Sequence, residues 1–539
     1  MKSFLTALPA LFFSLCLAAQ PATDILHYQF ALELSDKHDT LYGTTTITLM
    51  TRKAGNSVSL DLQGTDAKGK GMKVTKTVFP FVENGNDNAP VSTFTHQQNK
   101  LTINALQPFK SGDTLQVLIR YKGVPENGMI ISKTMYGRRT FFGDNWPNRA
   151  HHWLPCKDEP GDKASFEFLI TAPAHYQVVS NGIQIEETNL TGDKKFTHWR
   201  EDIPLPTKVM VIGVADFAVK HAGFVNNCIP VSSWVFPENA DKGFYDYSIG
   251  PEVLSFFDQY IGPYPYRKLA NVQSRTMYGG MENAGAIFYY ENSVTGRQGE
   301  EGLFAHEIAH QWFGDMATEK SFAHLWLSEG FATYLTHIYM ESKYGSDSLA
   351  KRMQEDRLSV LGFVKESKRP VVDSTLNYMS LLNANSYQKG GWVLHMLRSE
   401  LGDSVFHAAV RAYYAQYKGS NAETKDLQAV VERVSGKSLE TFFNQWLFRG
   451  VNPQLAISWK KDVMMDGLII TIEQVQKGSP FSISLDMELE YEGNIKEIRR
   501  FELDKASHSF LITGKGKLIK VRPDPNTRLL AEFNILSGK

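Results

Sequence analysis

Two periodicities divide the chain. From about residue 24 to 200, apolar and polar positions mostly alternate in short runs. Examples are Thr44-Thr45-Thr46-Ile47-Thr48-Leu49, Leu115-Gln116-Val117-Leu118-Ile119 and Gln177-Val178-Val179-Ser180, the last running into Asn181-Gly182. Period-two alternation broken by turn residues marks half-buried strands, so this part predicts an antiparallel β domain. Asn84-Gly85-Asn86-Asp87-Asn88 and Gly69-Lys70-Gly71 are its expected turns. Beyond about residue 245 the period becomes helical, with helices expected at 301–314, 326–344, 390–401, 403–417, 424–435 and 439–448. Gly436 and Gly450 are stop signals, and strand-like runs between 205 and 290 make this region mixed α/β. From Gln454 onward the strand pattern returns, in Leu468-Ile469-Ile470-Thr471-Ile472, Phe481-Ser482-Ile483-Ser484-Leu485 and Phe510-Leu511-Ile512-Thr513. These last residues fit a small C-terminal β sandwich.

The expected organisation is therefore a multidomain α+β chain: a signal peptide at 1–19, a β domain at 20–204, a mixed catalytic domain at 205–452 and the β sandwich at 453–539. A length of 539 residues agrees, at ~150 residues per domain. At the amino terminus, Lys2 precedes an apolar stretch from Phe4 to Leu17, interrupted only by Thr6, Pro9 and Ser14 and followed by Ala18 and Ala19. That is the pattern of a cleaved export signal, shorter than the ~20 apolar residues of a membrane span. Lipid attachment at Cys16 is disfavoured, because Phe13-Ser14-Leu15 lacks the small residue expected just before a lipidated cysteine. An exported protein, periplasmic or secreted, is expected, with no stable membrane insertion.

Composition narrows the function. Hydrophobic residues make up 42% and charged residues 21%, which excludes a disordered chain. With 57 Lys plus Arg against 58 Asp plus Glu, the net charge of −1 gives no general pull toward nucleic acid. Three cysteines cannot build a disulfide-dense scaffold; Cys156 and Cys228 could pair once or remain thiols.

The chemistry concentrates in Leu303-Phe304-Ala305-His306-Glu307-Ile308-Ala309-His310-Gln311-Trp312-Phe313-Gly314-Asp315. On a helix, four residues turn through about 400°, so His306 and His310 lie about 40° apart on one face, within reach of one ion. Glu307 sits one step around, where a general base can face water instead of the metal. Eighteen residues separate His310 from Glu329, in Leu325-Trp326-Leu327-Ser328-Glu329-Gly330-Phe331 at the start of a second expected helix. Two His and one Glu leave a fourth tetrahedral position open, the pattern of a catalytic zinc, one per chain. Such a zinc lowers the pKa of its water toward ~7 and makes it a nucleophile at neutral pH.

Upstream lies Met277-Tyr278-Gly279-Gly280-Met281-Glu282-Asn283-Ala284-Gly285. Together with the zinc motif, this resembles the thermolysin-like zinc aminopeptidase family that includes aminopeptidase N and leukotriene A hydrolase. Leu154-Pro155-Cys156-Lys157-Asp158-Glu159-Pro160 resembles part of that family's N-terminal β domain. The resemblance implies that Gly279, Gly280, Met281 and Asn283 run along the substrate and that Glu282 grips its α-ammonium. It also implies an oxyanion-stabilising tyrosine within Asn385-Ser386-Tyr387-Gln388-Lys389-Gly390-Gly391, hence Tyr387, with Tyr378 matching less well. Alignment on Pro155-Cys156 puts Asp144 and Trp146 where many members place a substrate-binding Gln or Glu, which makes Asp144 a candidate second ammonium ligand. The family's large C-terminal helical domain has no counterpart in the short β pattern after residue 453.

The expected activity is zinc-dependent hydrolysis of N-terminal residues from peptides with a free amino end, with Glu307 as general base. A zinc endopeptidase, a leukotriene-type epoxide hydrolase and a catalytically silent peptide-binding scaffold are the alternatives. An endopeptidase has no use for Glu282, and a silent scaffold has no need of a competent residue at every position.

Overall fold

The computed structural model describes residues 22–80, 91–462, 467–513 and 516–536. The expected signal stretch at 1–19 and the turn at Asn84–Asn88 lie outside the described residues.

The amino-terminal half is built on a seven-stranded sheet in the order Ile183–Leu190, Lys194–Pro206, Lys163–Pro173, Thr23–Glu33, Leu41–Thr51, Thr114–Val124 and Gly71–Val78. The alternation that predicted these strands is the alternation of burial. Along Leu41–Thr51 every second residue, from Leu41 through Thr45, Ile47 and Leu49 to Thr51, faces the core. The sheet is not purely antiparallel, however: Thr23–Glu33 runs parallel to Lys163–Pro173, pairing Phe30 with Phe168. Alternation encodes the face of a side chain and not the direction of its strand, and the long connection between these two leaves room for a parallel return. A second sheet orders Gln177–Ser180, Ile212–Ala215, Arg139–Gly143 and Met129–Lys133. Because Ile212–Ala215 pairs with strands of this unit, the first β region extends past the expected boundary at 204.

A five-stranded sheet follows, in the order Ala218–Val225, Ile229–Val235, Leu269–Ser274, Ala286–Tyr290 and Gly280–Met281. Its last member is a two-residue edge strand, paired antiparallel with Gly280 opposite Tyr289 and Met281 opposite Phe288. Three helices are layered behind this edge: α1 (Glu301–His310) packs on the edge strand, α2 (Trp326–Tyr344) on α1, and α3 (Gly390–Leu401) on α2. Further helices at Asp403–Tyr417, Thr424–Ser435 and Glu440–Leu447 agree with expectation to within a residue. α1 stops at His310, short of the expected 314, and the chain reverses through Gly314 at φ +122°. Three helices were not anticipated: Ala240–Asp246, Gly250–Tyr260 and Ser346–Glu366. The longest of them buries only Leu349, Met353 and Val360, too thin an apolar stripe to stand out in the sequence.

The carboxy-terminal region forms two sheets, one of Ser507–Thr513, Gly467–Gln474, Gln454–Asp462 and Glu532–Ile535, the other of Ile495–Leu503, Ile483–Tyr491 and Leu518–Pro523. It is tied to the helices by Gln445, whose amide exchanges hydrogen bonds with the backbone of Ser482, and by His395, whose Nε2 lies 2.8 Å from the carbonyl of Thr527. Cys156 is buried, Cys228 is exposed, and neither is paired. No helix among the described residues is long and apolar enough to cross a membrane.

A backbone-to-backbone helix contact sits beside the site. A Cβ placed on Gly330 of α2 would lie 2.8 Å from the Cα of Gly390 at the start of α3, and one on Gly390 would lie 2.9 Å from the Cα of Gly330. Both obstacles are backbone, so no rotamer change relieves them. Gly330→Ala gains about 1 kcal/mol of helix propensity and, since the obstacle is backbone, incurs overpacking at the upper end of the usual range, about 2–3 kcal/mol. The expected net effect is a loss of about 1–2 kcal/mol, read as a lower denaturant midpoint; an unchanged midpoint would show that the two helices can separate without cost.

Candidate active site

The last turn of α1 brings His306 and His310 onto the face that meets α2, and α2 supplies Glu329 from its first turn. His306 Nε2 lies 3.1 Å from His310 Nε2, and both nitrogens lie 3.2 Å from Glu329 Oε2. Three donors each about 2.0–2.1 Å from one zinc ion at near-tetrahedral angles are about 3.3 Å apart, so this triangle and donor set fit zinc. The imidazole tautomer also fits. His310 Nδ1 lies 3.1 Å from the Phe313 carbonyl, which can only accept, so Nδ1 carries the proton and Nε2 keeps its lone pair. Ser328 Oγ, also 3.1 Å from Nδ1, closes the ring's other side.

Glu307, Glu282 and His310 form a second group whose donor atoms all lie within 4.8 Å of one another. Burial pushes the Glu307 carboxyl well above its ordinary pKa; His310 opposes this, and the charges of Glu282 and Glu329 reinforce it. A carboxylate so placed is a stronger base than one in water. Glu282 follows the edge strand, is only 5% exposed, and its Oε1 has no hydrogen-bond partner among the described residues. A buried carboxylate oxygen left open at a cavity wall is a place for a cationic ligand.

Tyr387 stands on a short π-helix, Asn385–Lys389, held to α2 by the Gly330–Gly390 contact. Its ring stacks on that of His306 at 5.9 Å with an interplanar angle of 16°. Burial raises its phenol pKa well above 10, and the carboxylates of Glu329 and Glu282 add to the effect, so it keeps its proton for donation. Tyr378, the weaker sequence match, packs against Phe322 at 4.6 Å and does not line the cavity.

The cavity, about 280 Å³, thus gathers Gly279, Gly280, Met281, Glu282, His306, Glu307, His310, Glu329 and Tyr387. Two expected residues lie elsewhere. Asn283 is fully buried off the cavity, and its amide has no partner among the described residues. Asp144 is fully buried as well, with Oδ1 accepting from Arg149 Nη2 at 2.5 Å and Oδ2 from Thr276 Oγ1 at 3.1 Å and Met277 N at 3.2 Å. Both of its oxygens are occupied, so Asp144 anchors the segment entering the edge strand and offers no free face to a ligand. Trp146, the other position that the alignment marks, does reach the cavity, together with Tyr278, Leu303 and Leu382, which the sequence motifs do not single out as binding residues. Trp146 and Tyr278 meet edge to face at 6.2 Å and give the cavity an aromatic wall.

Residues 245–446 match the model of the peptidase family M1 domain, and residues 25–209 match that of the peptidase M1 N-terminal domain. Similar proteins include Aminopeptidase M1-C of Oryza sativa subsp. japonica, 30% identical over 58% of this chain and 37% of the relative. Aminopeptidase M1 of Arabidopsis thaliana is 29% identical over 56% of this chain and 36% of the relative. Probable aminopeptidase 2 of Sulfurisphaera tokodaii is 27% identical over 78% of this chain and 55% of the relative. The chain thus spans between about a third and just over half of the length of these relatives.

The donor triangle makes a direct prediction. Elemental analysis of the purified chain should find one zinc per molecule, retained in Glu307→Gln and lost in Glu329→Ala. Full zinc occupancy in Glu329→Ala would remove that carboxylate from the ligand set.

Proposed function

Because the chain belongs to peptidase family M1, we propose that it is a zinc-dependent aminopeptidase that removes N-terminal residues from peptides. The observation that carries this reading is the open carboxylate oxygen of Glu282 in the same cavity as the His306, His310 and Glu329 donors. A metal site alone serves any peptidase, whereas a fixed carboxylate beside it favours a chain end bearing a positive charge over an internal amide, which has none.

The residues divide the work as follows. His306, His310 and Glu329 would hold the zinc, which when bound supplies Lewis acidity to a carbonyl and to a water. Glu282 accepts hydrogen bonds from the substrate's α-ammonium and so fixes cleavage one residue from the end. Gly279, Gly280 and Met281, at the unpaired side of the edge strand, offer backbone groups to the extended peptide. Glu307 removes a proton from the attacking water and delivers it to the leaving amine. Tyr387 donates its hydroxyl proton in a hydrogen bond to the developing oxyanion. The aromatic and aliphatic wall of Trp146, Tyr278, Leu303 and Leu382 excludes water around these groups. We further read the two C-terminal sheets as a small sandwich and the first nineteen residues as an export signal.

The deciding experiment is mass spectrometry of one peptide, supplied with a free or an acetylated amino end, after incubation with the protein. Stepwise loss from the free peptide alone is expected. Internal cuts in both forms would make the protein an endopeptidase, and no cleavage of either by a zinc-loaded protein would make it a silent scaffold. In the same assay Glu307→Gln should abolish turnover. Tyr387→Phe should lower kcat about 10²- to 10³-fold, the size of losing one preorganised oxyanion donor; a near-normal rate in Tyr387→Phe would leave the oxyanion to other groups.

A further inference from the structure

The two histidines that would hold the metal and the carboxylate that would hold the substrate's amino end lie on separate elements, α1 and the turn after the edge strand. Their separation must be fixed for cleavage to fall one residue from the chain end. Three carbonyls of the turn Glu282–Gly285 accept hydrogen bonds from four directions. Asn283 O accepts from Ala286 N at 2.9 Å, Ala284 O from Asn181 Nδ2 at 2.8 Å, and Gly285 O from Lys268 Nζ at 2.7 Å and Ala270 N at 3.0 Å. Two further groups of the turn, Glu282 O and Gly285 N, both go to one side chain. Gln311 Nε2 donates to Glu282 O at 2.7 Å, and Gln311 Oε1 accepts from Gly285 N at 2.7 Å.

Gln311 directly follows His310 in the sequence and is fully buried. Its second amide hydrogen goes to Asp315 Oδ2 at 3.1 Å, and Tyr264 Oη approaches its oxygen at 3.4 Å. The orientation of the amide is dictated by its partners, since a carbonyl can only accept and a backbone N–H can only donate. Nothing else joins the end of α1 to the Glu282 turn through both a donor and an acceptor among the described residues.

We propose that Gln311 is a positioning residue that sets the distance between the metal helix and the ammonium-binding carboxylate, and so determines selectivity for a free amino end. It touches neither substrate nor metal. The inference rests on the aminopeptidase reading of Glu282 only for its catalytic consequence. Its structural content, that Gln311 holds the turn, stands separately.

Two variants test it in the full, zinc-loaded chain. Gln311→Met removes both hydrogen bonds at similar volume. Gln311→Glu keeps an acceptor for Gly285 N but cannot donate to Glu282 O, and it faces the Asp315 carboxylate. Both are expected to retain zinc. Hydrogen exchange of the peptide covering 282–286 should quicken at least tenfold in both, because two of its tethers to a buried side chain are cut or weakened. KM for a peptide with a free amino end should rise about tenfold or more, and its preference over the acetylated peptide should fall by a similar factor, since displacement of a binding group by about an ångström costs up to ~10²-fold. A general loss of stability would instead slow both peptides alike. Unchanged exchange at 282–286 would overturn the positioning role, as would loss of zinc in Gln311→Glu, which would assign Gln311 to the metal site. If the wild type cleaves both peptides equally, the aminopeptidase reading fails, and hydrogen exchange alone still decides whether Gln311 holds the turn.

Discussion

The structure is organised around one electrostatic problem, the burial of three carboxylates in a single small cavity. Glu282, Glu307 and Glu329 are each no more than 5% exposed, and all three line the same wall. Carboxylates removed from water and set beside one another cannot all remain ionised without cations to match. The imidazoles of His306 and His310 turn their Nε2 atoms toward Glu329 and bring donor atoms without charge, so the matching cations must come from outside the chain. Under the proposed reading, a dication and a substrate ammonium bring three positive charges to these three acids. The cavity is then close to neutral only when it holds both the metal and a substrate with a free amino end. Such a site selects its ligands by charge before any side-chain pocket acts.

Holding that arrangement requires close, rigid packing behind it. α2 and α3 touch backbone to backbone at Gly330 and Gly390, which brings the π-helix bearing Tyr387 over His306. On the opposite wall, Met281, Trp146, Phe288 and Phe322 belong to a small apolar core of their own, set between the amino-terminal β region and the helices. Asp144 and Arg149 reinforce it by gripping Thr276 and Met277 at the entrance to the edge strand. The site is therefore held between two regions of the chain, and a truncation that removed the first β region would also remove the support of the edge strand.

How much of this was legible in the sequence follows from what each pattern encodes. The helical spacing of His306 and His310 dictates a shared face, and the carboxylate at Glu329 falls in the first turn of a strongly apolar helix, so the donor triangle could be read before any fold was known. The helix end marked by Gly436, which adopts the left-handed conformation after Ser435, was readable for the same local reason. Strand direction was not, because the parallel pairing of Thr23–Glu33 with Lys163–Pro173 is a property of the long connection between them. Asp144 shows a different limit. Its place two residues before Trp146 fitted a binding role, but its neighbours in space, Arg149, Thr276 and Met277, consume both oxygens, and only the indole reaches the cavity. The polar helix Ser346–Glu366 escaped notice because its stability comes from contacts on one narrow face.

An open sheet edge usually invites association with other chains, and the edge at Gly280–Met281 shows how it can be kept for one purpose. The strand is only two residues long, its far side opens into a cavity of about 280 Å³, and the chain turns inward immediately after it at Glu282. A long extended segment of another protein has little backbone to pair with there. A peptide end, by contrast, needs only one or two backbone contacts when a carboxylate meets its terminal charge. The glycine at 280 contributes by subtraction: a Cβ there would lie 2.3 Å from Glu307 Oε1, so the bare strand allows the Glu307 carboxylate to sit against it. A side chain at 280 would displace the Glu307 carboxylate. The edge strand and the acidic cavity are thus two expressions of one requirement, that an extended backbone approach a buried carboxylate closely and stop.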